Sequence, residues 1–128
     1  MYRHLCRFPR RGGRALIVGA DPLFGDHLPA IIRAAQKFQL PIVVESKSWL
    51  EAGGLLSYGP SDIELERKLA VYVDKILRGA KPGDIAVEQP TKFELAINRK
   101  TAKMLGLTIP QSLLLCAEEV IQQPTTSS

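Results

Sequence analysis

The chain has 128 residues, 45% of them hydrophobic, 6% aromatic and 23% charged, which suffices for a core and excludes disordered, fibrous and disulfide-rich classes. Its net charge of +4 is a property of one end: Arg3, Arg7, Arg10, Arg11 and Arg14 occupy the first 14 positions without an acid, and the other 12 Lys and Arg face 13 Asp and Glu. A basic tail can attract nucleic acid or anionic lipid, but the plainer reading is an N-terminal extension, and no nucleic-acid partner is expected.

Residues 1–13 form that tail. Arg10-Arg11 precede the apolar run from Ala15 to Ala20, but the run is about half the core of a secretory signal and leads into Asp21-Pro22 without a small-residue cleavage site. No window reaches the ~18 to 20 apolar residues of a membrane span. Ala15-Leu16-Ile17-Val18, closed by Gly19, reads as a strand buried on both faces. From about Asp26, the residues Leu28, Ile31, Ile32 and Ala35 recur at helical spacing, with Pro29 placed in the first turn, where proline is tolerated. Pro41-Ile42-Val43-Val44 reads as a second buried strand, so strand, helix and strand follow within about 30 residues, the length of one parallel crossover.

Ser48 to Glu51 reads as a single turn before Gly53-Gly54, and Leu55-Leu56-Ser57-Tyr58 as a third strand ended by Gly59-Pro60. Ser61 with Glu64 three residues on is the pattern of a capping box. The helix that follows carries Leu65, Leu69, Tyr72, Val73 and Ile76 on one face and ends at Gly79. A loop over 80–84 and an extended segment over Ile85 to Glu88 lead to Phe93-Glu94-Leu95-Ala96-Ile97, whose period of two predicts a strand with one drier face. Asn98 is an N-cap for a short helix ending at Gly106, a last helical segment falls around Ser112 to Leu115, and 122–128 form a polar, frayed tail. These elements predict the α/β class: an open, mostly parallel sheet flanked by helices, over 14–121.

No dinucleotide fingerprint, phosphate-loop motif or nucleophile elbow is present. Gly12-Gly13 precede the first strand, whereas a pyrophosphate-binding turn follows one. Cys6, Cys116, His4 and His27 have no partner at ligand spacing, so neither a metal site nor a cofactor is expected, and the chain is read as a non-enzyme. Ligands of open parallel sheets bind outside the carboxyl ends of the strands. That rule selects Asp21 and Pro22 after the first strand, Glu45 and Ser46 after the second, and Ser57 and Tyr58 at the end of the third. Carboxylates could pair with a ligand ammonium, hydroxyls could orient it, and Tyr58 or the nearby Trp49 could supply a flat apolar face.

Three segments also carry a resemblance, in order and spacing: Gly53-Gly54-Leu55-Leu56-Ser57-Tyr58-Gly59-Pro60, the run from Tyr72 to Pro82, and Pro90-Thr91-Lys92-Phe93-Glu94-Leu95. In these the chain resembles the C-terminal part of substrate-binding proteins of ABC importers, in the branch that includes tryptophan and tyrosine binding proteins. The resemblance implies one lobe plus crossover segments of a two-lobed periplasmic-binding-protein fold, with a cleft that closes by a hinge motion at which Gly59 is placed. It implies a small amino-acid-like solute, an ABC permease as partner and a periplasmic location. It also implies a truncated form, because nothing before Arg14 resembles the first lobe, and apolar surface left without that lobe points to a homo-oligomer. A self-associating remnant without ligand and an unrelated small α/β enzyme are the alternative readings.

Overall fold

In a computed structural model, residues 12–19 and 21–122 are described; the basic tail up to Arg11 with Cys6 and His4, Ala20, and the polar C-terminal tail from residue 123 lie outside them. The chain divides into two compact units, one made of residues up to Gly59 and from Glu94 onward, the other of Pro60–Phe93.

The first unit is built on a sheet. Strand β1 (Leu16–Val18) is followed by helix α1 (Pro22–Lys37), strand β2 (Ile42–Val44), the short helix α2 (Lys47–Glu51) and strand β3 (Leu56–Pro60); strand β4 (Phe93–Asn98), helices α4 (Arg99–Met104) and α5 (Gln111–Cys116) and strand β5 (Glu119–Ile121) complete it. The strands lie side by side in chain order. β1 pairs parallel with β2 in the register Leu16 to Ile42, β2 parallel with β3, and β4 parallel with β5. The Asn98 N–H, at the end of β4, donates to the Leu55 carbonyl just before β3 at 2.9 Å, and the Ser61 N–H just after β3 donates to the Lys92 carbonyl just before β4 at 3.1 Å, so β4 runs antiparallel to β3. The predicted α/β class with a mostly parallel sheet holds.

The apolar spacing of α1 explains its packing. Leu28, Ile31, Ile32 and Ala35 form one buried stripe, and with Val18, Leu40, Ile42, Val44, Leu50 and Ala96 they make the core of the unit. Leu50 and Ile97 are wholly buried, each contributing about 1.5–3 kcal/mol by removal from water.

Helix α1 starts earlier than its apolar periodicity predicts. Asp21 takes the N-cap, its Oδ1 accepting the Leu23 N–H at 2.8 Å, and Pro22 stands at the first helical position, where a missing N–H costs nothing. Pro29 consequently falls in the helix interior instead of the first turn. β5 was hidden in the sequence because three residues show no period; pairing of Ala96 with Glu119 creates it. β4 also departs from its alternating pattern, burying Ala96, Ile97 and Asn98 in succession, as a strand covered on both faces of the sheet does.

The second unit holds helix α3 (Asp62–Leu77), a 3-10 turn at Pro82–Asp84 and a returning segment over 85–92 that forms no strand where an extended stretch was expected. The Lys68 Nζ donates to the Gln89 carbonyl at 3.2 Å and pairs with Glu88 at 3.4 Å, tying that segment to the helix. Gly79 closes α3 as expected: at φ +101° it occupies the left-handed region, and the Ala80 N–H donates back to the Lys75 carbonyl. The capping box does not form. Ser61 is the N-cap residue, yet its hydroxyl makes no capping bond, and Asp62 and Glu64 complement the helix dipole in its first turn. No residue of α3 is buried, although the spacing of Leu65, Leu69, Tyr72, Val73 and Ile76 predicts a buried face.

Candidate functional site

Because β1, β2 and β3 are parallel, their carboxyl ends share one edge of the sheet, and the antiparallel course of β4 brings its own start, and that of β5, to the same edge. Asp21, Pro22, Glu45 and Ser46, which follow the first two strands, therefore lie along one edge, and Ser57 and Tyr58 lie within β3. Asp21 and Pro22 open α1 and are exposed; Glu45 and Ser46 follow β2 and are half-buried. The Ser46 and Ser48 hydroxyls are 2.9 Å apart and share a hydrogen bond.

Strand geometry separates the next two. Successive side chains of a strand point to opposite faces, so Ser57 is 3% exposed while Tyr58 is 60% exposed. Only the Tyr58 ring presents itself to solvent. Gly59 is the last residue of the first unit and is buried, with its backbone outside the left-handed region. What demands glycine there is contact: a Cβ would lie 2.3 Å from the Glu45 carbonyl oxygen. This close approach locks the end of β3 onto the Glu45 loop.

Two features of this edge were not legible in the sequence. Trp49, half-buried on α2, lies against Gly25 in the first turn of α1, where a Cβ would come within 3.2 Å of the indole Cζ2. The indole thus packs α2 onto the first turn of α1. Lys47 pairs with Glu119 at the start of β5. The hydrogen bond that the Lys47 ammonium donates to Glu119 raises the Lys47 pKa above its ordinary value of 10.5; desolvation opposes it, and the charges of Glu119, Glu51 and Glu94 reinforce it. Lys47 stands three residues after the predicted strand end, but its partner could not be found without β5. The edge combines exposed or half-buried carboxylates, one ammonium, hydroxyls and two aromatic faces, a set suited to holding a small zwitterion by charge and shape. Among the described residues no group of three His, Cys, Asp or Glu could hold a metal ion.

A family model described as ABC transporter substrate binding protein matches residues 9–121. The chain belongs to that family. A tyrosine-binding protein of Clostridioides difficile is 27% identical over 92 residues, covering 72% of this chain and 27% of its own length. A solved conserved domain protein from Vibrio cholerae is 25% identical with a TM-score of 0.87, over 94% of this chain and 40% of that one. An ABC domain from Streptococcus pneumonia in complex with L-Trp is 31% identical with a TM-score of 0.80, over 84% of this chain and 37% of that one. The ligand-free, open structure of a substrate binding protein with adhesive properties from Clostridium difficile shares the fold at 20% identity and a TM-score of 0.65. The chain thus spans about 40% of the length of these solved proteins or less, as one lobe would, and the expected resemblance holds over residues 9–121. No helix among the described residues is long and apolar enough to cross a membrane.

Proposed function

We propose that this chain serves as a solute-binding part of an ABC-type uptake system, taking a small amino-acid-like ligand at the carboxyl edge of β1 to β3 without catalysing any reaction. The observation that carries this reading is the likeness to the L-Trp-bound domain, at 31% identity over 84% of this chain, together with a strand-end edge that offers carboxylates and aromatic faces. Asp21 and Glu45 are assigned to the ligand ammonium, the Ser46 hydroxyl to its polar atoms, and Pro22 and the Tyr58 ring to its apolar body; Ser57, buried on the other face of β3, is given no contact. Gly59 is assigned the hinge on the family resemblance, and motion there would have to release its contact with the Glu45 carbonyl. An ABC permease is the partner and the outer side of the cytoplasmic membrane, the periplasm where there is one, the place of action.

Isothermal titration calorimetry of the purified chain with the twenty L-amino acids tests this. Saturable binding of one or a few of them is expected, weakened at least tenfold in Glu45→Ala and in Tyr58→Ala. Equal affinity in the wild type and in Asp21→Ala, Glu45→Ala and Tyr58→Ala would remove the assignment of this edge.

A further inference from the structure

Far from the strand-end edge, the first unit contains a second concavity that the solute-binding reading does not use. It lies beyond the end of β4, where Asn98 caps α4, and therefore at the edge of the sheet opposite to Asp21, Glu45 and Tyr58. The cavity measures about 680 Å³, within the ~300–1,000 Å³ of small-molecule sites.

Its chemistry is polarised. Arg99, Lys100 and Lys103 line it from α4, and no acid lines it. At 100° per residue these three cations fall within about 100° of one face of the helix. None of them forms an ion pair among the described residues. The remaining wall is mainly apolar, with Thr108 and Gln122 as its polar members, and is partly open to water: Met104 is 61% exposed and Leu107 42%, with Ile109 beside them. A surface that leaves three cations unneutralised next to uncovered apolar side chains lacks both an anion and an apolar body. One molecule carrying both would satisfy it.

We infer that this cavity is a second binding site, for a small organic anion with an apolar body, of the alkyl or aryl carboxylate class. The carboxylate meets the α4 cations, with Arg99 able to take it in a two-pronged pair, and the hydrocarbon covers Met104, Leu107 and Ile109. A plain inorganic anion would leave the apolar wall wet, and a zwitterion would bring its ammonium against three like charges. The site therefore selects against the very ligand class assigned to the other edge.

The test uses the full chain and sodium octanoate below its micellar concentration, with acetate and 1-octanol as probes of the head and the body alone. Binding is followed by calorimetry and by amide chemical shifts. Octanoate is expected to titrate saturably, with shifts concentrated in residues 99–122, and to bind at least tenfold more tightly than acetate or 1-octanol. The triple variant Arg99→Gln, Lys100→Gln, Lys103→Gln should lose at least tenfold in octanoate affinity while melting as the wild type does, because all three positions are exposed. Glu45→Ala should leave octanoate binding unchanged. The site is disproved if the triple variant binds octanoate like the wild type, if 1-octanol binds equally well, or if the shifts fall on α3 instead.

Discussion

Asn98 shows how one side chain can join local and tertiary structure. Its Oδ1 accepts the Thr101 N–H at 3.1 Å, capping α4, and its Nδ2 donates to the Leu50 carbonyl at 3.3 Å, reaching from β4 to the end of α2. The side chain is buried. Asn98→Ala removes both bonds and is expected to destabilise the first unit by roughly 1–3 kcal/mol; a urea midpoint unchanged within error would contradict that role. Lys47 is the second residue with a measurable signature. Its pKa is raised in the folded chain by Glu119, so the stability it contributes is complete below the ordinary value of 10.5 and is lost as pH rises through the folded value. The difference in melting temperature between wild type and Lys47→Met should hold from neutral pH to about pH 9 and shrink at still more alkaline pH. The pair is about half exposed, so the difference is small, within about 1 kcal/mol, and weaker in high salt.

At the scale of elements, α1 carries an internal conflict. Its apolar stripe and its Asp21-Pro22 start favour one continuous helix, yet Pro29 interrupts the backbone ladder from an exposed interior position. Pro29 has no N–H to give to the Gly25 carbonyl, and its ring crowds the preceding turn. Pro29→Ala restores the bond without disturbing the buried face, since Leu28, Ile31, Ile32 and Ala35 are untouched. The variant should unfold at higher denaturant concentration, with a gain of about 1–3 kcal/mol. Were it less stable than the wild type, proline would have to act through a preorganised first turn.

For the molecule as a whole, the exposed face of α3 is the dominant feature. Leu69 is 61% exposed, Val73 55% and Ile76 43%. Leu65, Leu69, Tyr72 and Ile76 follow the alternating spacing of four and three that makes a helix-to-helix seam, and such a seam is self-complementary across a two-fold axis. We propose a second copy of the chain as its cover, which would give a homo-oligomer. Light scattering after size exclusion should report a dimer or larger species for the wild type and a shift to monomer for Leu69→Glu with Val73→Glu. A monomeric wild type at tens of micromolar would show that this face stays uncovered by its own kind.

The sequence by itself determined the class and order of the elements wherever the signal was local. Apolar runs marked β1 and β2, the 28-31-32-35 spacing marked α1, and Asn98 and Gly79 marked a helix start and a helix end, because caps and periodic faces depend on neighbours a few residues away. The candidate edge was legible to the same extent: Asp21, Glu45 and Ser46 follow strands that could be read, Tyr58 lies within another, and parallel pairing then set them along one edge. Tertiary structure decided the rest. Glu119 meets Lys47 only because β5 exists, and β5 exists only through its pairing with β4. Gly59 is required by the Glu45 carbonyl, a contact between segments 14 residues apart in sequence. The open face of α3 and the cavity beside α4 depend on what the surrounding chain leaves uncovered, and coverage is a property of packing in three dimensions that no residue's own neighbours in sequence can specify.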